Sequence, residues 1–110
     1  TCALPIYRIF FTFVSEQEPY VEKMVCDPSY RDFADKLFLI TLSHNRHRYN
    51  PYHTYSQSEQ HIINTFLALG SVNIYRRWVT DKKHVPLEKL IELTNHLFVN
   101  GIASIRKENS

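Results

Sequence analysis

The stretch SQSEQHIINTFLALGSVNIYRRWVT, residues 56–80, decides the fold. Its first four residues spell a capping box, in which the Ser56 hydroxyl accepts the Glu59 backbone N–H while the Glu59 carboxylate reaches back to the Ser56 N–H. No proline follows before Pro86, so the spacing predicts one long helix from Gln57 to about Thr80. Ile62, Ile63, Phe66, Leu67, Leu69, Val72, Ile74, Tyr75, Trp78 and Val79 occupy more than one face of that helix. So wide an apolar arc needs neighbours on two sides. Asp81-Lys82-Lys83-His84 then ends the helix with mostly cationic residues at the carbonyl end of its dipole.

On the C-terminal side, Pro86 opens a last helix with Glu88 in its first turn, running to about Ile105. Leu87, Leu90, Ile91, Phe98, Ile102 and Ile105 follow one stripe, with Leu93 and Leu97 displaced around the cylinder. On the N-terminal side, Tyr49 to Tyr55 reads as a loop from its Asn50-Pro51 step and lack of period. Asp27-Pro28 before it predicts an N-cap and first position for a third helix that fades near Arg48. Phe33, Leu37, Phe38, Ile40 and Leu42 form its broad apolar face. Pro19 opens a short second helix over Tyr20 to Val25, and Pro5 opens a first, Ile6 to about Glu16, with Ile6, Ile9, Phe10, Phe13 and Val14 at helical spacing. No strand-like alternation competes. The reading is an all-α chain of five helices, a single domain over residues 1–110.

Composition bounds what such a domain does. The 110 residues are 44% hydrophobic, 22% charged and 14% aromatic, the balance of one globular domain that buries about two thirds of its surface. Two glycines, Gly70 and Gly101, supply neither a dinucleotide-binding nor a P-loop glycine pattern. A net charge of +2 demands no polyanion. Cys2 and Cys26 make no metal spacing and too small a disulfide framework, which reads as a reducing compartment. The longest apolar runs are far shorter than the ~18 residues of a membrane span. A start at Thr1, with Met24 as the only methionine, reads as a fragment or processed product.

The two long C-terminal helices carry apolar arcs too wide for one core, and a monomer seldom leaves a large patch wet. A homodimer is the expectation. Gly70 and Gly101, read as lying inside these helices, each cost about 1 kcal/mol against alanine and so mark close helix approach.

The run from Ile62 through Gly70 to Val79, the short cationic turn and Pro86-Leu87-Glu88-Lys89-Leu90 resemble the C-terminal regulatory domain of tetracycline-repressor-type (TetR/AcrR family) transcriptional regulators. The likeness is strongest over residues 57–103. The upstream helix pair and Asp27-Pro28 also look like that family, notably its DhaS-like branch of operon activators. The resemblance implies a bacterial, cytoplasmic regulator whose last two helices pair with their copies in a four-helix dimer interface, with Ile63, Leu67, Gly70, Ile74, Leu93, Leu97 and Gly101 as interface candidates. It implies a pocket for a small-molecule effector, or a protein partner in its place, among the earlier helices. Phe10, Phe38, Phe66 and Trp78 are candidate walls there, and Thr41, Asn73, Tyr75 and Arg76 candidate polar contacts. Operator DNA would be bound only through an N-terminal helix-turn-helix that this chain lacks.

Sharper chemistry is sparse. His44, His47 and His53 are weak metal candidates, for no Cys, Asp or Glu lies between Leu37 and Gln57 to complete a site; no metal or cofactor is expected. The helix C-terminus by itself explains cations at Arg46, His47 and Arg48. His44 to Tyr49 with Tyr52 and Tyr55 interleaves charge and aromatics, the alternative of a stand-alone nucleic-acid-binding module, against a solvated, poorly ordered loop. No nucleophile sits beside a base in sequence, so no enzyme is expected.

Overall fold

The computed structural model describes residues 5–17 and 19–101. Among these the chain is all-α, with α1 (Ile6–Glu16), α2 (Pro19–Cys26), α3 (Arg31–Arg48), α4 (Gln57–Thr80) and α5 (Leu87–Asn100). The capping box forms as expected: Glu59 N donates to Ser56 Oγ at 3.1 Å and Ser56 N to Glu59 Oε1 at 2.9 Å. At ~1.5 Å per residue α4 is ~36 Å long. It packs against every other α-helix, as does α1. The pair α2 and α3 lies to one side of this central pair, while α5 packs only on α1 and α4.

Two boundaries differ from the sequence reading. Asp27 does cap, accepting Ser29 N at 2.8 Å, but what it caps is a single 3-10 turn, Pro28–Tyr30. Tyr30, at φ −114° and ψ 37°, breaks the path, and α3 starts at Arg31. Gly101 lies not within the last helix but at its end, with φ +79° and nothing within 4 Å of the position a Cβ would take. Its left-handed conformation stops α5 after Asn100. Ile102 and Ile105 lie outside the described residues.

The core is aromatic. Phe10, Phe11, Phe38 and Tyr75 are fully buried, and Phe10 meets Phe38 at 5.1 Å and Tyr75 at 6.3 Å between ring centroids. Tyr75 continues to Trp78 at 5.5 Å. A second row runs outward from Tyr7 through Phe98 to Phe66 at 5.3 and 5.2 Å. Gly70 lets this row in: a Cβ there would stand 2.7 Å from Phe98 Cζ. Its helical glycine therefore marks close approach of α4 to α5 within one subunit. Phe98 is held between Tyr7 and Phe66, so it yields little room. Gly70→Ala is expected to gain ~1 kcal/mol of helix propensity and lose more to overpacking, for a net loss of ~1 kcal/mol in urea unfolding.

Candidate interaction surface

The α4–α5 pair buries one side and leaves the other bare. Ile62, Phe66 and Leu69, spaced four and three residues apart along α4, are 69%, 57% and 54% exposed, and Leu93 on α5 is 43% exposed. The 4-3 spacing is that of a helix seam meeting another helix. Between the two helices runs an open groove of ~620 Å³, walled by Phe66, Leu69, Ile74, Val85, Leu90 and Leu93 and floored by Gly70 and Trp78. Asn73, Arg77 and Asp81 supply its polar edge. Arg77 and Asp81, four residues apart, form no ion pair with each other or with another described residue. The turn that closes the groove is shaped by two residues in left-handed conformation, Lys82 (φ 61°) and Lys83 (φ 54°). Lys83 N bonds to Trp78 O at 2.9 Å, and the indole Nε1–H donates to Val85 O at 2.6 Å.

The expected interface and pocket residues are redistributed by this geometry. Of the interface candidates, Ile74 and Leu93 line the groove and Gly70 lies beneath it. Leu67 is buried in its own core, Ile63 packs against that core, and Leu97 is half-buried. Ile62, Leu69 and Val85 were missed as surface residues, although the 62–66–69 spacing carried the signal for the first two. Of the pocket candidates, Phe10, Phe38 and Tyr75 are fully buried and pack on one another. The Thr41 hydroxyl bonds within its own helix to Leu37 O at 2.8 Å. Arg76 Nε donates to Val25 O at 2.7 Å, tying α4 to the end of α2, while its Nη2 is buried without a partner. Phe66, Asn73 and Trp78 belong to the outer groove instead of an inner pocket.

One polar cluster went unpredicted. Glu22 on α2 accepts from the Tyr75 hydroxyl at 2.5 Å and from Lys83 Nζ at 2.7 Å, and Lys83 stands over the Trp78 ring at 5.2 Å. Lys83 thus serves a carboxylate across the fold more than its own helix dipole. Burial, then the hydrogen bond to Glu22, pushes the Tyr75 phenol far above its ordinary range. Its neutral form is the one the fold holds, so this contribution is complete below the unfolded value of about 10 and is lost as pH rises above it. Tyr75→Phe is expected to cost ~1 kcal/mol near neutral pH, and the gap to the unsubstituted protein should narrow in unfolding curves taken above pH 10. Beside this cluster, burial and Glu22 raise the pKa of the free Cys26 thiol, keeping it protonated. Cys2 lies outside the described residues.

His44, His47 and His53 are all exposed, and no three His, Cys, Asp or Glu side chains among the described residues converge as a metal site. The loop after α3 is held by side-chain hydrogen bonds of its own. Asn50 Oδ1 accepts Tyr52 N at 3.0 Å, Asn50 Nδ2 donates to Gln60 Oε1 at 3.1 Å, and Gln60 Nε2 donates to Tyr55 O at 2.8 Å. Arg46 stacks on Tyr52 at 5.1 Å and Tyr52 meets Tyr55 edge-on at 6.3 Å, so the interleaved charges and rings close the loop on itself. No described helix is long and apolar enough to cross a membrane.

Among known proteins, no family model matches this chain, and no curated protein or solved structure is significantly similar to it.

Proposed function

We propose that this chain is a self-associating helical regulatory domain: two copies pair through their outer α4–α5 faces, and the pair controls DNA binding by an attached domain in response to a small effector. The observation that carries the pairing is the apolar groove whose walls, Phe66, Leu69 and Leu93, are exposed in their own subunit. Its polar edge argues for a second copy as the occupant. A two-fold axis sets the same patch against itself, so a patch bearing one free cation, Arg77, and one free anion, Asp81, is complementary to its own image. Size agrees, because α4 at ~36 Å and α5 at ~21 Å, side by side and together ~20 Å wide, offer an area of the order of the ~800 Å² per partner of a standard interface.

The regulatory role and the DNA-binding partner domain rest on the resemblance of residues 57–103 to TetR-type regulators. Ligand occupancy regulates such a pair only if one arrangement of the two subunits binds the ligand more tightly than the other. Sedimentation tests the pairing, with a dimer expected at micromolar concentration; a strict monomer at 100-fold higher concentration overturns it. The encoded sequence preceding Thr1 tests the role, since a helix-turn-helix there supports it and an unrelated or missing segment removes it.

A further inference from the structure

The far side of α4 carries a different kind of groove. Between α3 and α4, Leu39, Leu42, Ser43, Arg46, Gln57 and Asn64 enclose ~300 Å³, and the space continues past Leu39, His61 and Asn64 into an adjoining ~350 Å³ that ends on Ala68 and Leu69. Arg46 is the only full charge lining the first of these spaces, and Asp35 lies at the edge of the second. The guanidinium is fixed from three directions: its face lies on Tyr52, Nη1 donates to Asn45 Oδ1 at 3.2 Å, and Nη2 to Asn64 Oδ1 at 3.4 Å. It is half-buried, and burial pulls its pKa below the ordinary value. No carboxylate among the described residues pairs with it. The sequence contains no acid at all between Asp35, about three turns back along α3, and Glu59, whose carboxylate is tied to Ser56 N. A desolvated cation without an anion is costly, and its two acceptors here are neutral amides that leave part of its five-donor fork unused. The first turn of α4, carrying Gln57 and Gln60 into the same groove, adds the positive end of a long helix. Leu39 and Leu42 make an apolar floor beside this one charge.

We infer that the α3–α4 groove binds a small organic carboxylate, its head on the Arg46 guanidinium and its apolar body over Leu39 and Leu42. Arg46 accepts a planar carboxylate through paired N–H donors, as guanidinium groups do. This deepens the effector part of the proposed reading by naming the ligand class, and it places the site on the outer flank of α3 instead of in the aromatic interior. The Arg46 end of the groove shares no lining residue with the α4–α5 face, so a titration and a sedimentation run fail separately.

Hexanoate is the probe, with hexanol as its uncharged match and inorganic phosphate as an anion without the apolar body, each titrated into the full chain at pH 7 and followed by calorimetry and by the Arg46 Nε–H and Asn64 amide resonances. The expected result is saturable hexanoate binding that shifts both resonances, with hexanol and phosphate at least tenfold weaker. Arg46→Gln should weaken hexanoate at least tenfold. Because that variant also loses the contact that orders the loop, Leu39→Glu serves as the second: residue 39 is 51% exposed, so the chain folds while a carboxylate on the floor repels the ligand by a similar factor. Absence of saturable binding, equal binding of hexanol or phosphate, or undiminished binding by folded Arg46→Gln and Leu39→Glu overturns the inference.

Discussion

Replacing Leu69 and Leu93 together with aspartate is expected to yield a folded monomer under conditions where the unsubstituted chain is expected to sediment as a dimer. Both side chains are about half exposed in their own subunit, so the substitutions remove little from the intrachain core, and helical circular dichroism should be unchanged. They sit on the walls of the groove through which we propose that two copies pair. Burying a leucine side chain contributes at least about 1.5 kcal/mol. Two positions in each of two subunits make four such side chains, about 6 kcal/mol, or roughly four decades in dissociation constant. The aspartates add the cost of placing carboxylates in an apolar seam. Equilibrium sedimentation across a concentration series reads the shift directly. A double variant that still dimerises with unaltered affinity would locate self-association elsewhere on the molecule and remove the α4–α5 face from it.

The largest effect on stability is expected from Phe10→Ala. Phe10 is fully buried on α1, the helix that together with α4 touches every other one, and its ring contacts Phe11, Phe38 and Tyr75. Truncation forfeits the transfer energy of the ring and leaves a cavity among three rigid neighbours that cannot collapse into it, a loss of about 3–5 kcal/mol. Total stability of a domain this size is of the order of 5–15 kcal/mol, so the melting temperature should drop by more than about 15 °C. Phe66→Ala makes the contrast. Its ring is 57% exposed and touches Phe98 at one side, so the monomer should lose no more than about 1 kcal/mol while self-association suffers. If the two variants melt alike, the division between inner and outer aromatic rows is wrong.

The distinction between these rows shows where sequence reasoning stopped. Helix 3.6-periodicity and local capping chemistry are properties of neighbours in the chain, and the Ser56–Glu59 box, the Pro5 and Pro19 starts and the end near Arg48 were legible for that reason. Whether an apolar residue on a two-faced helix is covered depends on which helices lie beside it. Phe66 and Tyr75 were therefore indistinguishable in sequence, yet one faces outward and the other is sealed beneath α1. Leu67, offered as an interface residue, is sealed in the same way. Polar partners were harder still. Tyr75 and Glu22 are 53 residues apart, and neither periodicity nor a cap signal connects them. The bond between the Tyr7 hydroxyl and Asn95 spans 88 residues and was equally hidden.

By itself the sequence determined an all-α chain of five α-helices, most of their limits, and the existence of more apolar surface on the last two than one helix face needs. Short-range hydrogen bonding and side-chain spacing suffice for those. Only the tertiary structure decided that Gly70 admits Phe98, that Gly101 stops α5, that Phe10, Phe38 and Tyr75 pack together out of solvent, and that Arg46 lines a pocket whose walls carry no acid. Each of these depends on which distant segments pack together, a matter of shape and burial that no local pattern encodes.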